Sequence, residues 1–291
     1  MRLRDLNDGP PPTEALENIE LSLLLEGICN FYGFDFRNYA PASLKRRVMA
    51  RVQAEGLQSV SELLSRVLYD PATMERLLLS LTIHVTSLFR DPTFYHAFRR
   101  QVVPLLRTYP FIRLWVAGCA TGEEVYSLAI LLHEEGLIER TRLYGTDLSA
   151  AVIEKAKAGI FPLSAMREYT ENYLQAGGRG EFSEYYASDA GHAVIARALR
   201  KNIVFARHDL VTDGSLNEFN VVFCRNVMIY FNKVLQQRVH QLIYESLVPL
   251  GVLCVGRGEN LRLTSHEAHY AVINEQERIY RLRPADSAIR N

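Results

Sequence analysis

The sequence has no long apolar run. Nowhere do 18 apolar residues follow one another, and the first stretch, Met1 to Pro12, is charged and proline-rich without an apolar signal core. Such a chain is expected to be cytoplasmic, with no direct membrane insertion. Its four cysteines (Cys29, Cys119, Cys224, Cys254) are scattered, with no C-x-x-C pair and no zinc-ligand spacing. That usage fits a reducing compartment and leads us to expect no metal. Net charge is missing too: 33 Lys plus Arg balance 33 Asp plus Glu, which argues against a nucleic-acid partner. The 48% hydrophobic content supports a packed core. A length of 291 residues accommodates one large domain, or a small one followed by a domain of about 200 residues.

The chain is organised around Leu114-Trp-Val-Ala-Gly-Cys-Ala-Thr-Gly-Glu-Glu-Val-Tyr-Ser-Leu-Ala129. An apolar strand breaks at Gly118, turns, and restarts as a helix for which Thr121 is the expected N-cap. Open α/β sheets bind their ligands at such a turn. A phosphate site keeps its helix start free of negative charge, but here Glu123 and Glu124 fill the first helical turn. Two carboxylates suit a ligand with an amine, hydroxyls or a sulfonium cation. S-adenosylmethionine (SAM) carries all three, although the turn alone also admits other nucleosides.

Upstream, helical spacing of Leu16, Ile19, Leu23 and Ile28 predicts a first helix. A second follows Pro41, with Leu44, Val48 and Val52 as its apolar stripe. Ser59-Val-Ser-Glu62 is a capping box opening a third, and Asp70-Pro71 opens a fourth. Residues 13–85 are therefore expected to form a small all-helical domain. Lys45, Arg46, Arg47 and Arg51 load the second helix with charge, either as a solvated face or as a surface docking an acidic partner. Leu81 to Arg90 alternates in a strand-like way, and Asp91-Pro92 opens another helix.

From residue 112, strands and helices alternate, which implies a mostly parallel sheet in the domain 86–291. The second strand ends at Asp147, where a carboxylate can accept both hydroxyls of an adenosine ribose or cap the next helix. A strand over Asn202–Leu210 carries Asp209 at its exit. The buried run Val221–Cys224 is followed by Arg225 and Asn226, a pair that packing explains poorly. A helix from Lys233 to Leu247, a strand Gly251–Val255 and a closing strand Glu277–Arg283 complete the pattern. The block 161–200 breaks it, and is expected to be an inserted subdomain of turns and short strands.

Four elements together resemble the chemotaxis receptor methyltransferases of the CheR type: Leu81 to Asp91, Trp115 to Glu124, Gly145-Thr-Asp147, and Cys224-Arg-Asn-Val-Met-Ile-Tyr-Phe231. The similarity runs from about residue 15 to 283. The resemblance implies an α/β fold: a helical front domain, then a Rossmann-like SAM-dependent methyltransferase domain with a small antiparallel β insert. It implies that SAM, leaving as S-adenosylhomocysteine, meets Thr86, Arg90, Gly118, Glu124, Asp147, Arg225 and Asn226. His84 stands where the best-known members have asparagine, and Asp209-Leu210 where the family often has Asn-Leu beside the adenine. Arg90 and Tyr230 match positions facing the methyl group and its acceptor. The implied reaction is methylation of glutamate carboxylates in the cytoplasmic domain of a chemoreceptor or a related signalling protein, by an enzyme expected to be a monomer. In that picture Lys45, Arg46, Arg47 and Arg51 dock the receptor. Two other readings stay open: the same fold with another protein acceptor, and a SAM-binding module without turnover. The four residues Arg90, Asp147, Asn226 and Tyr230 speak against the last. An ionised glutamate needs no general base to attack a sulfonium methyl, and the second domain contains no His/Asp or Cys/His constellation that demands one.

Overall fold

Side-chain caps and prolines set the starts of the first helices. The computed structural model describes residues 13–82, 86–216, 218–262 and 264–284. The chain divides into two units, Met1–Ile83 and His84–Asn291.

In the first unit, α1 (Thr13–Tyr32), α2 (Pro41–Ala54), α3 (Val60–Tyr69) and α4 (Pro71–Leu81) follow one another. The Ser59 hydroxyl accepts from the N–H of Glu62, and the Asp70 carboxylate from that of Ala72, so both expected caps are present. The apolar stripe of α2 is buried as expected. The face of α1 is not. Leu16, Ile19 and Leu23 are exposed, whereas Leu24, Leu25 and Ile28 are buried. The run Leu23-Leu-Leu25 puts apolar residues on more than one face, so periodicity alone cannot choose. The choice falls to Gly27, where a Cβ would lie 2.8 Å from Leu64. That close approach brings α1 onto α3 along the face shared by Leu24, Gly27 and Ile28.

The second unit opens with α5 (Pro92–Gln101) and α6 (Val103–Leu106), then β1 (Ile112–Ala117), α7 (Glu123–Glu134), β2 (Thr141–Asp147) and α8 (Ala150–Ala158). The insert contributes β3 (Ile160–Pro162), α9 (Met166–Gln175), β4 (Tyr186–Asp189), β5 (His192–Ile195) and α10 (Arg197–Arg200). Then come β6 (Ile203–Arg207), β7 (Phe219–Cys224), α11 (Lys233–Ser246), β8 (Leu247–Val255), β9 (Tyr270–Asn274) and β10 (Ile279–Leu282). Among the described residues, seven strands form one sheet in the order β6-β2-β1-β7-β8-β10-β9. Five of them run parallel, and β10 and β9 close the edge antiparallel. The connections reverse direction between β1, which continues outward to β2, and its other neighbour β7. A crevice at the carboxyl ends of those two strands is the expected ligand position for such a sheet. The second unit is therefore Rossmann-like, with β3, β5 and β4 forming the small antiparallel insert.

Two expectations are corrected. The strand-like alternation around residue 86 does not become a strand in its described part: Thr86 and Ser87 are irregular and Leu88 to Arg90 form a turn. The insert holds more than turns and short strands, because α9 supplies ten residues of helix. Its Tyr173 hydroxyl donates to the buried carboxylate of Glu134, which also accepts from the Arg99 guanidinium, the Tyr185 hydroxyl and the N–H of Arg179. Those polar anchors, together with burial of Met166, Tyr169 and Tyr173, stabilise a helix whose glycine-rich sequel reads as loop.

No helix among the described residues is long and apolar enough to cross a membrane. On α11, burial and the neighbouring His266 lower the pKa of His240 from 6.5 to about 4. Its neutral form is the one the fold accommodates, so its contribution is complete above pH 6.5 and declines as pH falls toward 4. The wild type is expected to lose about 2 kcal/mol by pH 5 relative to His240→Gln. Parallel urea titrations from pH 7.5 to 4.5 check this; equal slopes for the two proteins contradict it.

Candidate functional site

The end of β1 and the start of α7 form the floor of the crevice. Gly118 takes a left-handed φ of 71°, and a Cβ there would lie 2.5 Å from a Val227 methyl. Only glycine lets the first turn meet the loop after β7 so closely. The N–H of Cys119 donates to the Thr146 carbonyl at 2.8 Å, and that of Ala120 to Asp147 Oδ2 at 3.0 Å. The turn is thus fastened to the exit of β2. The helix does not start as the sequence suggests: Gly122 occupies the N-cap position, and the Thr121 hydroxyl donates to the Glu123 carboxylate at 2.6 Å.

Asp147 is buried. Its Oδ1 accepts from the N–H of Ser149 at 3.1 Å, and the Ser149 hydroxyl, not Asp147, caps α8. Each Asp147 oxygen therefore accepts one backbone bond and retains acceptor capacity. The exit of β6 lies alongside, since the N–H of His208 donates to the Asp147 carbonyl at 3.0 Å. Asp209 is buried next to it, and burial pushes its carboxyl above the usual range. One of its oxygens accepts from the N–H of Val211 at 2.8 Å. Leu210 is buried as well.

Arg225 joins three elements. From the end of β7 it donates to Glu124 of α7 at 2.5 Å and to Asp91, just before α5, at 2.9 Å. Its guanidinium carbon stands 3.9 Å from the centre of the Phe94 ring, an added cation–π attraction. Burial disfavours its charge, but Glu124, Tyr95 and Asp91 outweigh burial and raise its pKa. Asp91 is thus a partner of Arg225, and its side chain makes no cap bond to the helix it precedes.

The next four residues are held from below by Glu259. Its carboxylate accepts from the N–H groups of Asn226, Val227, Met228, Ile229 and Gly256, at 2.6 to 3.3 Å. Glu259 is 5% exposed. This residue was not singled out from the sequence. Its signal is Gly256-Arg-Gly-Glu259, an acidic residue following a strand at the carboxyl edge of the sheet. Glu259→Gln keeps one acceptor oxygen and turns an amide toward backbone donors. It is expected to cost about 2 kcal/mol and to speed amide exchange across 226–230. Unchanged protection of those amides contradicts this role.

Thr86 and Arg90 are half-buried on the segment entering α5. Both neighbours of Arg90 are anchored: the N–H of Phe89 donates to the Ser127 hydroxyl at 2.8 Å, and Asp91 accepts from Arg225. Phe89, Asp91, Ala120 and Asn226 all have left-handed backbone, which costs non-glycine residues on the order of 1 kcal/mol each. These strained positions gather in the three segments tied together around Arg225. Tyr230 ends a 3-10 turn, Met228–Tyr230, and is half-buried. His84 lies outside the described residues.

The structure therefore joins Glu124 to Arg225, fastens the turn after Gly118 to Asp147, and holds Asn226 through Glu259, with Asp209 and Leu210 at the exit of the strand next to Asp147. In the first unit, Lys45 pairs with Glu17 at 2.9 Å, Arg51 with Glu55 at 3.2 Å, and Arg47 donates to the Leu81 carbonyl. Three of the four candidate docking cations thus already have intramolecular partners, while Arg46 is exposed.

The donor set suits SAM. Glu124 and Asp147 offer acceptors to an amine and to ribose hydroxyls, and Gly118 permits close backbone approach. Burial pushes the thiols of Cys119 and Cys224 well above their ordinary pKa, so neither competes for a methyl group as a thiolate.

A family model described as CheR methyltransferase, SAM binding domain, matches residues 84–279, and one described as CheR methyltransferase, all-alpha domain, matches residues 19–82. The Pseudomonas putida protein Cher3 is 47% identical over 269 residues, covering 92% of this chain and 98% of its own. A chemotaxis protein methyltransferase of Listeria monocytogenes is 29% identical over 231 residues, 79% of this chain and 85% of its own. One of Salmonella typhimurium is 30% identical over 220 residues, 74% of each chain.

Proposed function

The chain belongs to the CheR methyltransferase family, the SAM-dependent chemotaxis protein methyltransferases, and on that premise we propose that it methylates glutamate side chains of a chemoreceptor or related signalling protein. The products are glutamyl methyl esters and S-adenosylhomocysteine. The observation that carries this reading is Arg225 bonded to both Glu124 and Asp91, which fixes the segment bearing Arg90 against the Gly118 turn.

When bound, SAM supplies a methyl group activated by a sulfonium centre. Asp147 would accept hydrogen bonds from the ribose hydroxyls through its remaining lone pairs, Glu124 would receive the amine, and the Asp209-Leu210 segment would lie beside the adenine. Thr86 and Asn226 complete the polar lining. Arg90 orients the acceptor carboxylate by a loose contact, because a tight bidentate pair would quench the nucleophile. Tyr230 shapes the acceptor side of the pocket from a turn that Glu259 keeps rigid. A glutamate is ionised near pH 7, so catalysis rests on alignment and on excluding water from the carboxylate. Arg46, with Lys45, Arg47 and Arg51 beside it, is proposed to meet the acidic surface of the receptor.

The test is incubation of the protein and methyl-labelled SAM with chemoreceptor-containing membranes, followed by alkali. Label released as methanol is the expected result, since esters hydrolyse in base. Alkali-stable label identifies a different acceptor, and SAM binding without transfer identifies a non-catalytic module. Arg90→Ala is expected to cut kcat/KM about 100-fold, on the order of 3 kcal/mol of lost orientation, while cofactor affinity changes little.

A further inference from the structure

A cleft of about 200 Å³ lies behind the turn that carries Tyr230. Ile229 forms part of one wall, and Lys233, Gln236 and His240, spaced along a single face of α11, form another. Arg262, in the chain after β8, completes it. The charge available to a ligand there is of one sign. Glu259 is the carboxylate lining the cleft, and five backbone N–H groups consume its oxygens. Lys233 and Arg262 both contribute cations; Arg262 also pairs with Glu275 at 2.8 Å, both side chains being largely exposed. His240 lines the cleft, is 3% exposed, and its buried Nδ1 has no hydrogen-bond partner among the described residues. That nitrogen is buried within the fold, so a ligand in the cleft meets the two cations rather than the imidazole.

We propose that this cleft is a subsite for an acidic segment of the methyl-accepting protein, with Lys233 and Arg262 meeting its carboxylates. The inference deepens the proposed function and rests on it for the identity of the acceptor. The physical link is short. Ile229 is 42% exposed and immediately precedes Tyr230, so a segment seated against Ile229 lies one residue from the side chain proposed to shape the acceptor pocket. Glu259 binds the N–H groups of both Met228 and Ile229, and a ligand in the cleft therefore presses on a turn that cannot yield independently. Selection of acidic neighbours around the modified glutamate follows from that placement.

The experiment uses the full chain saturated with S-adenosylhomocysteine and two soluble probes, a glutamate–alanine peptide and its glutamine–alanine counterpart. The glutamate peptide is expected to slow hydrogen exchange across 228–240. Lys233→Ala with Arg262→Ala is expected to weaken its binding about tenfold, and Lys233→Arg with Arg262→Lys to restore it. Equal binding of the glutamine peptide, no protection of 228–240, or free glutamate protecting as strongly as the peptide overturns the proposal. Binding is read without methyl transfer, so the two ideas fail separately. Peptide protection in a protein that forms no glutamyl ester contradicts the proposed activity alone; ester formation without protection contradicts the subsite alone.

Discussion

Replacing Arg225 by methionine lowers the unfolding free energy by about 3–5 kcal/mol, because it leaves the Glu124 and Asp91 carboxylates facing each other without their cation. The guanidinium side chain is 3% exposed and those of Glu124 and Asp91 are 15% and 29% exposed. Water reaches the acids more than the base, which places the loss toward the lower end of that range. The triple variant Asp91→Asn, Glu124→Gln, Arg225→Met removes all three charges and is expected to recover most of the stability, since neutral groups carry no unpaired charge into the fold. It does not recover SAM binding, because the segment carrying Arg90 is no longer drawn to the Gly118 turn. Urea denaturation and cofactor calorimetry on the same preparations separate the two effects. A single variant within about 1 kcal/mol of wild type, the range of an exposed pair, contradicts the assignment of Arg225 as the joint of the site.

Asp147→Asn raises the dissociation constant for S-adenosylhomocysteine about 100-fold. Hydrogen bonds to a charged acceptor contribute about 1.5–3 kcal/mol each, and an amide at this position loses charge assistance on both oxygens and accepts from only one. A loss near 3 kcal/mol corresponds to about two decades in affinity. Asp147 also holds the N–H groups of Ala120 and Ser149, so a folding defect has to be distinguished from a binding defect. Ser149→Ala provides that control: it removes the cap of α8 but leaves the Asp147 carboxylate and both of its backbone bonds. Calorimetric titration is expected to find its affinity close to wild type. A change of less than threefold in Asp147→Asn excludes the ribose contact.

Much of the sheet was legible because each strand is bracketed by chemistry that works locally. Val221 to Cys224 is apolar throughout because β7 is buried on both faces, and Gly118 stops β1 where the backbone turns left-handed. Asp70-Pro71 and Ser59 cap their helices using only near neighbours. What was not legible depends on partners distant in sequence. Asp91 reads as a helix opener and turns out to be held by Arg225, 134 positions away. Glu259 reads as one more surface acid, yet it organises a loop 30 to 33 residues upstream. The apolar spacing of α1 left its buried face open, because the face that packs on α3 is the one where Gly27 comes close to Leu64. The helix α9 followed the same logic, since its burial against the insert and its Tyr173–Glu134 bond are tertiary. Thr121 was assigned a cap from its residue type, whereas the hydroxyl bonds Glu123 and leaves Gly122 to open the helix.

The proposed activity meets its most direct test in peptide mapping of a chemoreceptor after incubation with SAM and this protein. The account predicts a mass increase of one methyl group on glutamate residues, removed by mild alkali, absent when Asp147→Asn replaces the wild type at limiting SAM. Methylation confined to lysine, arginine or a thiol, or a glutamate ester formed equally well by Asp147→Asn under those conditions, contradicts it.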